Sequence, residues 1–390
     1  MSTVRATPPP IEVTAGRGRP LGMSAAAFLR DHWQKRPLLI RRAFAGVAAP
    51  LTPRDLFCVA GEADALARLV QRRGKRYTVR HGPFRASEFE RMPGRDWTLL
   101  VQDCDKWFDS ARDLLRNFAF IPRWRIDDVM VSYAADGGSV GAHVDQYDVF
   151  LLQAMGRRRW RISTDPRAPA DFVPDQPLKL LRRFAPTHEW LLEPGDMLYL
   201  PPGVPHHGVA AGPCLTCSIG MRAPSAAELL TAFAATLEPD EARRYADPDL
   251  RPARTPGELE RSATLRVRRL LERLVRGDGQ DDWLARFLTQ YRSSHTPAPR
   301  RRKTKPAELR RRLAAGAGFE LSPWARALFR REGRGATLYV AGDAYRASLA
   351  LARRLTSREP LTRASAKGLD AGDWATLVAL ANDGHAEVTT

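Results

Sequence analysis

Between about residue 75 and residue 222 the chain repeats one pattern: a short apolar run, a turn, then another short apolar run. The runs read "WTLLVQD", "DVMVSYA", "YDVFLLQA", "RRWRIST", "EWLLEPGD", "MLYLPPG" and "CLTCSIG", and "EPGD" at 193–196 is strong turn chemistry. Many short strands at regular spacing predict a β-barrel or β-sandwich. One helical stretch, "KWFDSARDLLRNF", interrupts them.

The flanks read differently. Residues 1 to about 20 are polar and rich in Pro and Gly, which predicts a loose arm. Ser24 then caps a short helix in "AAAFLRDHWQKR", with Phe28 and Trp33 as apolar anchors. "PLLIRRAF" predicts a buried strand. "LTPRDLFCVA" starts a helix with Thr52 as N-cap and Pro53 at the first helical position. After Pro224, "SAAELLTAFAATLEPDEARRYA", "GELERSATLRVRRLLERLVRG" and "DDWLARFLTQYRSS" are helical by period. The basic, Pro-containing "HTPAPRRRKTK" is a linker. A helix, a hairpin ("GATLYVAGDAYRA") and a helix ("DAGDWATLVALAN") follow, which fits a small winged-helix unit. The expected divisions are an arm at 1–20, a β domain at 21–224, a helical segment at 225–298 and a winged-helix-like domain at 299–390.

The 62 Lys and Arg against 44 Asp and Glu give a formal charge of +18, which favours an acidic partner such as nucleic acid or a ribonucleoprotein. Four cysteines are too few for a disulfide scaffold, so a reducing compartment is expected. Cys214 and Cys217 fall on a strand, where residues three apart face opposite ways, so they do not share a zinc. The N-terminus has no apolar signal core, and no window approaches a membrane span, so the expected location is cytoplasmic.

The chemistry-bearing stretch is "GAHVDQYDVFLLQAMGRRRWRI", Gly141 to Ile162. His143 and Asp145 lie two apart at the head of a β-run and so face the same way. Imidazole and carboxylate suit a divalent iron held by three protein ligands on one face, with the other positions open. A third ligand must come from a distant strand, and "YLPPGVPHHG" at 199–208 offers His206 or His207. At the far end of the run, strand parity puts Arg158 with Trp160 and Ile162 on the apolar face. Arg157, Arg159 and Arg161 take the other. A buried Arg158 needs a partner: an internal acid, or the distal carboxylate of a bound dicarboxylate.

These two motifs, with "FLRDHWQKRPLLIRRAF" near the N-terminus, closely resemble the JmjC-type cupin oxygenases. More narrowly, they resemble the bacterial ribosomal oxygenases that hydroxylate an arginine of a large-subunit ribosomal protein. The resemblance covers about residues 20 to 225 well and the remainder more loosely. It implies a double-stranded β-helix, a helical dimerisation segment and a winged-helix domain, with Fe(II), O2 and 2-oxoglutarate as the chemistry. On that pattern His143, Asp145 and His206 are the metal ligands, His206 rather than His207 because the ligand comes first. Arg158 and Ser132 are the cosubstrate contacts. The implied product carries a hydroxyl on the β-carbon of an arginine in ribosomal protein sixteen. Positions 134 and 216 depart from expectation, being Ala and Thr where a small polar residue and an amide are expected.

Two rivals follow from the same residues. One is a JmjC oxygenase acting on a histidine or methyl-lysine, which the metal motif does not distinguish. The other is an RNA-binding protein with a vestigial cupin, carried by the charge and by "RRRKTKPAELRRR" at 300–312. Tyr133, Tyr147 and Asp148 are candidate walls for a guanidinium substrate. A stripe of Leu265, Val267, Leu270, Leu271 and Leu274 is a candidate dimer face.

Overall fold

A computed structural model describes residues 11–389 except 17–18, 45, 47–48, 169–170, 238–243, 253–256, 258, 277–279 and 291–297. Two compact units divide the chain, Met1–Ala223 and Pro224–Thr390.

The first unit opens with β1 (Glu12–Thr14), α1 (Ala25–Asp31), β2 (Leu38–Arg41) and α2 (Pro53–Val59). The loose arm is corrected here. Although residues 1–10 and 17–18 lie outside the described residues, β1 pairs in parallel with β2, Val13 opposite Ile40. The caps form as read. Ser24 accepts from the Ala27 amide, and Thr52 makes a reciprocal capping box with Asp55 behind Pro53. Helix α1 is shorter than its sequence pattern, ending at Asp31.

Then come β3 (Ala67–Arg73), β4 (Arg76–His81), α3 (Ala86–Glu90), β5 (Trp97–Val101), α4 (Cys104–Trp107), α5 (Asp109–Leu114) and β6 (Ile126–Ala134). The single helical stretch of the sequence is thus broken into two at Phe108, whose backbone is extended. The remaining strands are β7 (Val149–Met155), β8 (Arg158–Ile162), β9 (His188–Leu192), β10 (Met197–Leu200), β11 (His206–Ala210) and β12 (Cys214–Met221).

Among the described residues, nine strands form one sheet in the order β1-β2-β10-β7-β12-β6-β5-β3-β4. Three form a second, β11-β8-β9. From β7 to β12 the chain passes between the two sheets, which is the double-stranded β-helix that the resemblance implied. The large sheet reads as nearly continuous apolar runs because both its faces are covered. Phe150, Leu152, Val129, Val131, Cys217 and Ile219 pack on one side with Phe28, Leu56 and Phe118 from the flanking helices and turns. Val149, Leu151, Leu39 and Leu198 pack on the other with Trp160, Ile162 and Leu192 of the small sheet. Cys214 packs with Ala134 and Ala210 instead, so the two cysteines do face opposite ways.

The second unit holds α6 (Ala226–Ala234), α7 (Arg261–Val275), α8 (Gln280–Thr289) and α9 (Pro306–Ala314). Next are β13 (Gly318–Leu321), β14 (Ala327–Glu332), β15 (Gly335–Val340) and β16 (Asp343–Ser348), then α10 (Leu349–Ser357), α11 (Ala371–Asn382) and β17 (Ala386–Thr389). The helix expected to run on through 246 stops at Ala234. Residues 244–246 are not helical, and 238–243 and part of the linker at 295–297 lie outside the described residues. Leu309, Phe319, Leu338, Leu351, Leu377 and Leu380 make the core of the winged-helix part. Helix α8 packs on its hairpin, where Tyr339 donates to Asp282 at 2.8 Å and Arg286 to the Gly342 carbonyl at 3.1 Å. No described helix is long and apolar enough to cross a membrane.

Candidate metal and cosubstrate site

The large sheet and the small sheet enclose a cavity of about 380 Å3, lined from both. Register decides what lines it. Across the large sheet Arg68, Leu100, Ser132, Thr216 and Gln153 are successive cross-strand partners, so their side chains share the inner face. On the small sheet Ala210 pairs with Arg158, Gly208 with Trp160 and His206 with Ile162.

His143 and Asp145 are not on a strand, contrary to expectation: β7 begins only at Val149. The loop before it is extended at His143 and pinned to β11. His143 and His206 exchange both backbone hydrogen bonds at 3.0 Å, and the Gly203 amide donates to the Asp145 carbonyl at 2.8 Å. The pair therefore faces one way through a two-residue bridge rather than a strand.

Ligand atoms of His143, Asp145 and His206 all lie within 4.8 Å of one another. Each imidazole turns Nδ1 to a carbonyl two residues back, His143 to Gly141 at 3.0 Å and His206 to Val204 at 2.9 Å. That fixes Nδ1 as the protonated nitrogen and leaves Nε2 as the donor atom. The Nε2 atoms stand 3.9 and 3.6 Å from Asp145 Oδ2. Burial, then the neighbouring His143, hold the His206 pKa well below its ordinary value, so its ring is neutral, as a ligand must be. Burial raises the Asp145 carboxyl, opposed by His143. His207 points away, its ring 6.2 Å from Phe184, and burial then Arg161 push its pKa down to about 4.

Strand β8 alternates as parity required. Arg158, Trp160 and Ile162 are buried, while Arg159 and Arg161 share Glu189 on the outside, each at 2.6 Å. Arg158 is 3% exposed, and no described carboxylate pairs with it. Its contacts are long: Ser132 Oγ at 3.4 Å, Thr216 Oγ1 at 3.5 Å and the Gly208 carbonyl at 3.4 Å. Its Nε has no partner among the described residues. Burial lowers its pKa, yet an arginine keeps its proton at neutral pH. The result is a buried, uncompensated cation at the end of a cavity that also holds two imidazoles and a carboxylate. This donor set fits iron, and the free guanidinium fits the far carboxylate of 2-oxoglutarate.

Three parts of the site escaped the sequence reading. Gly208 is one: a Cβ there would sit 2.7 Å from the Trp160 ring and 2.8 Å from Arg158 Nε, so only glycine lets both lie flat against β11. A glycine inside a strand is the signal that could have found it. Gln153 is the second. The amide missing at position 216 stands on the next strand, where Gln153 Oε1 accepts from Thr216 at 3.1 Å. The third is the pair Asp127 and Asp128, which line the opposite end of the cavity beside the expected Tyr147. Asp128 accepts the Asp103 amide at 2.9 Å, and its carboxyl is pushed up to about 7 by burial and then by Asp103, Asp127 and Asp105. Of the proposed guanidinium walls, Tyr147 lines the cavity. Tyr133 packs in the core against Phe57 and Trp97, and Asp148 is committed to Tyr199, Gln34 and Arg125.

Comparison with known proteins agrees with this geometry. The JmjC domain family matches residues 113–229, and the ROXA-like winged helix family matches 278–387. An AraC-like ligand binding domain family also matches, over 186–288. The ribosomal protein uL16 3-hydroxylase of Escherichia coli is 35% identical over 292 residues, 74% of this chain and 78% of that protein. A probable ribosomal oxygenase of Haemophilus influenzae is 39% identical over 205 residues, 52% of this chain and 50% of that protein. Among solved structures, E. coli YcfD superposes with a TM-score of 0.83 at 32% identity, over 94% of this chain and 99% of that one. YcfD described as a ribosomal oxygenase in complex with cobalt and 2-oxoglutarate superposes at 0.80, with the same identity and coverage.

Proposed function

The chain belongs to the JmjC ribosomal oxygenases and is an Fe(II)- and 2-oxoglutarate-dependent protein hydroxylase, and we propose that its substrate is an arginine of ribosomal protein uL16, hydroxylated at C3. His143, Asp145 and His206 would hold the iron, and Arg158 with Ser132 would hold the distal carboxylate of 2-oxoglutarate. Bound there, the metal and cosubstrate supply oxygen activation coupled to oxidative decarboxylation, which places one oxygen atom in a C–H bond.

The chain's own residues do the positioning. Nδ1 hydrogen bonds to Gly141 and Val204 keep both Nε2 lone pairs aimed at the centre. Arg158 orients the cosubstrate from one side. Asp128, assisted by Asp127 and Tyr147, offers a buried negative wall for a guanidinium on the other. Val70, Leu100, Met130, Val149 and Leu151 line the space between and exclude water. The observation that carries this reading is the uncompensated Arg158 in the cavity of the triad.

The proposed organisation is a catalytic domain at 21–224, a helical dimerisation segment at 225–298 and a winged-helix-like domain at 299–390. Homodimerisation is supported by α7, where Val267, Leu271 and Val275, four residues apart, are 44%, 56% and 53% exposed. Leu265 falls on the other side of the helix and does not belong to that face. A cytoplasmic location and proximity to ribosomal RNA follow from the substrate. The test is intact mass of ribosomal proteins from cells with and without the gene. Loss of a single oxygen from uL16, restored by the wild type but not by Asp145→Ala, is the expected result. A mass change on a different protein would move the substrate, and no change on any ribosomal protein would remove it.

A further inference from the structure

Helix α7 has a second face, opposite Val267, Leu271 and Val275. Arg266, Arg269, Arg273 and Arg276 recur at spacings of three, four and three, so they form one ridge. The ridge runs roughly 15 Å along the helix at 1.5 Å per residue. It looks into a groove of about 590 Å3 whose other wall is Arg244, Tyr245 and Ala246. Five arginines line that groove against one carboxylate, Glu272. Arg266 is paired with Asp249 at 2.7 Å, whereas Arg269, Arg273 and Arg276 make no ion pair with a described residue. Tyr245 is 42% exposed and lines the groove beside them.

We propose that this groove binds the phosphate backbone of RNA. A row of guanidinium groups at helical spacing meets successive phosphates, and an exposed tyrosine ring beside it can stack a base. A membrane surface is the chemically nearest rival, since a basic amphipathic helix also binds lipid headgroups. In a lipid-bound helix the cations flank the apolar face and reach around it. Here Arg266, Arg269 and Arg273 point away from Val267, Leu271 and Val275, and only Arg276 also borders that apolar groove's end with Arg268. The choice of RNA over other polyanions rests on the ribosomal-substrate reading; the groove itself does not.

The test is fluorescence anisotropy of a labelled RNA hairpin with the full-length protein over a salt series. Wild type is expected to lose affinity with a log–log slope of about −2 to −3, as for three or four phosphate contacts. Arg269→Gln with Arg273→Gln is expected to weaken binding about tenfold and to flatten the slope by about 1.5. Arg300→Gln with Arg301→Gln removes the same charge elsewhere and is expected to leave most of the affinity. Equal loss in both double variants, or none in the first, overturns the groove. So does tighter binding to phosphatidylserine vesicles that Leu271→Asp abolishes. Hydroxylation of an isolated uL16 peptide by the Arg269/Arg273 variant is measured alongside. It reports that the variant is folded and separates failure of the groove from failure of the substrate assignment, because the RNA titration does not depend on it.

Discussion

The two ends of one cavity differ in chemistry, a buried guanidinium at Arg158 and carboxyls at Asp127 and Asp128. At one end Arg158 is a buried cation with long contacts to hydroxyls and a carbonyl and no described acid. At the other, burial and then the neighbouring Asp103, Asp127 and Asp105 push the Asp128 carboxyl up to about 7. Two other charged clusters in the same unit are paired. Asp148 accepts from Tyr199, Gln34 and Arg125, and Arg159 and Arg161 share Glu189. Burying a charge without a close partner is costly, and on the proposed reading a dicarboxylate completes the structure at Arg158 and a guanidinium completes it at Asp128.

Asp145→Ala breaks the region between the ends and has the largest effect. It is expected to abolish hydroxylation and to weaken metal binding by at least about a hundredfold, read by titration with cobalt as a spectroscopic stand-in. Asp128→Asn attacks the acidic end alone. The KM for an arginine peptide is expected to rise about tenfold to a hundredfold, while 2-oxoglutarate turnover in the absence of peptide persists. Its stability effect has a definite sign. A carboxyl whose folded pKa lies above its unfolded value stabilises least when ionised, so the wild type loses stability as pH rises from the unfolded carboxylate range through about 7. Asn keeps the acceptor for the Asp103 amide without the charge, and the variant is expected to gain about 1 kcal/mol or more over wild type at alkaline pH and little at acid pH. Thermal melts across that range check it; an equal shift at both ends would place the gain outside ionisation.

Gly208→Ala sharpens the other end. Its Cβ displaces Arg158 and Trp160, and the KM for 2-oxoglutarate is expected to rise about tenfold with metal affinity unchanged. Arg159→Gln is the smallest: it removes an exposed pair with Glu189, and neither KM is expected to move. A change in the 2-oxoglutarate KM there would show that the outer face of β8 matters as much as the inner.

Much of the Arg158 end was legible because period-two alternation on β8 reports side-chain direction from sequence alone. The H-x-D pair with a histidine after "PPGVP" was equally legible, although the pair proved to lie on a bridged loop. The Asp128 end was not. Its carboxylate is held by the Asp103 amide from a turn twenty-five residues earlier, where Asp103 is in the left-handed region. Period two from Ser132 puts Asp128 rather than Asp127 on the inner face of "IDDVMVSYA", but nothing local reveals the turn that holds it. Gly208 was missed for the same reason, since its role is set by β8 across the ladder, a pairing between segments some fifty residues apart. The parallel pairing of β1 with β2 likewise depends on a distant partner, so a polar arm concealed a strand.

The central claim is that buried Arg158 is completed by the cosubstrate, and calorimetry of 2-oxoglutarate binding to the cobalt-loaded protein tests it most directly. The account predicts one site per chain in the wild type. In Arg158→Met it predicts affinity at least about a hundredfold lower, cobalt binding retained, and a ligand-free melting temperature equal to or above wild type because a buried unpaired charge has been removed. Equal affinity in the two proteins would contradict it and leave the guanidinium at the end of the cavity without a role in cosubstrate binding.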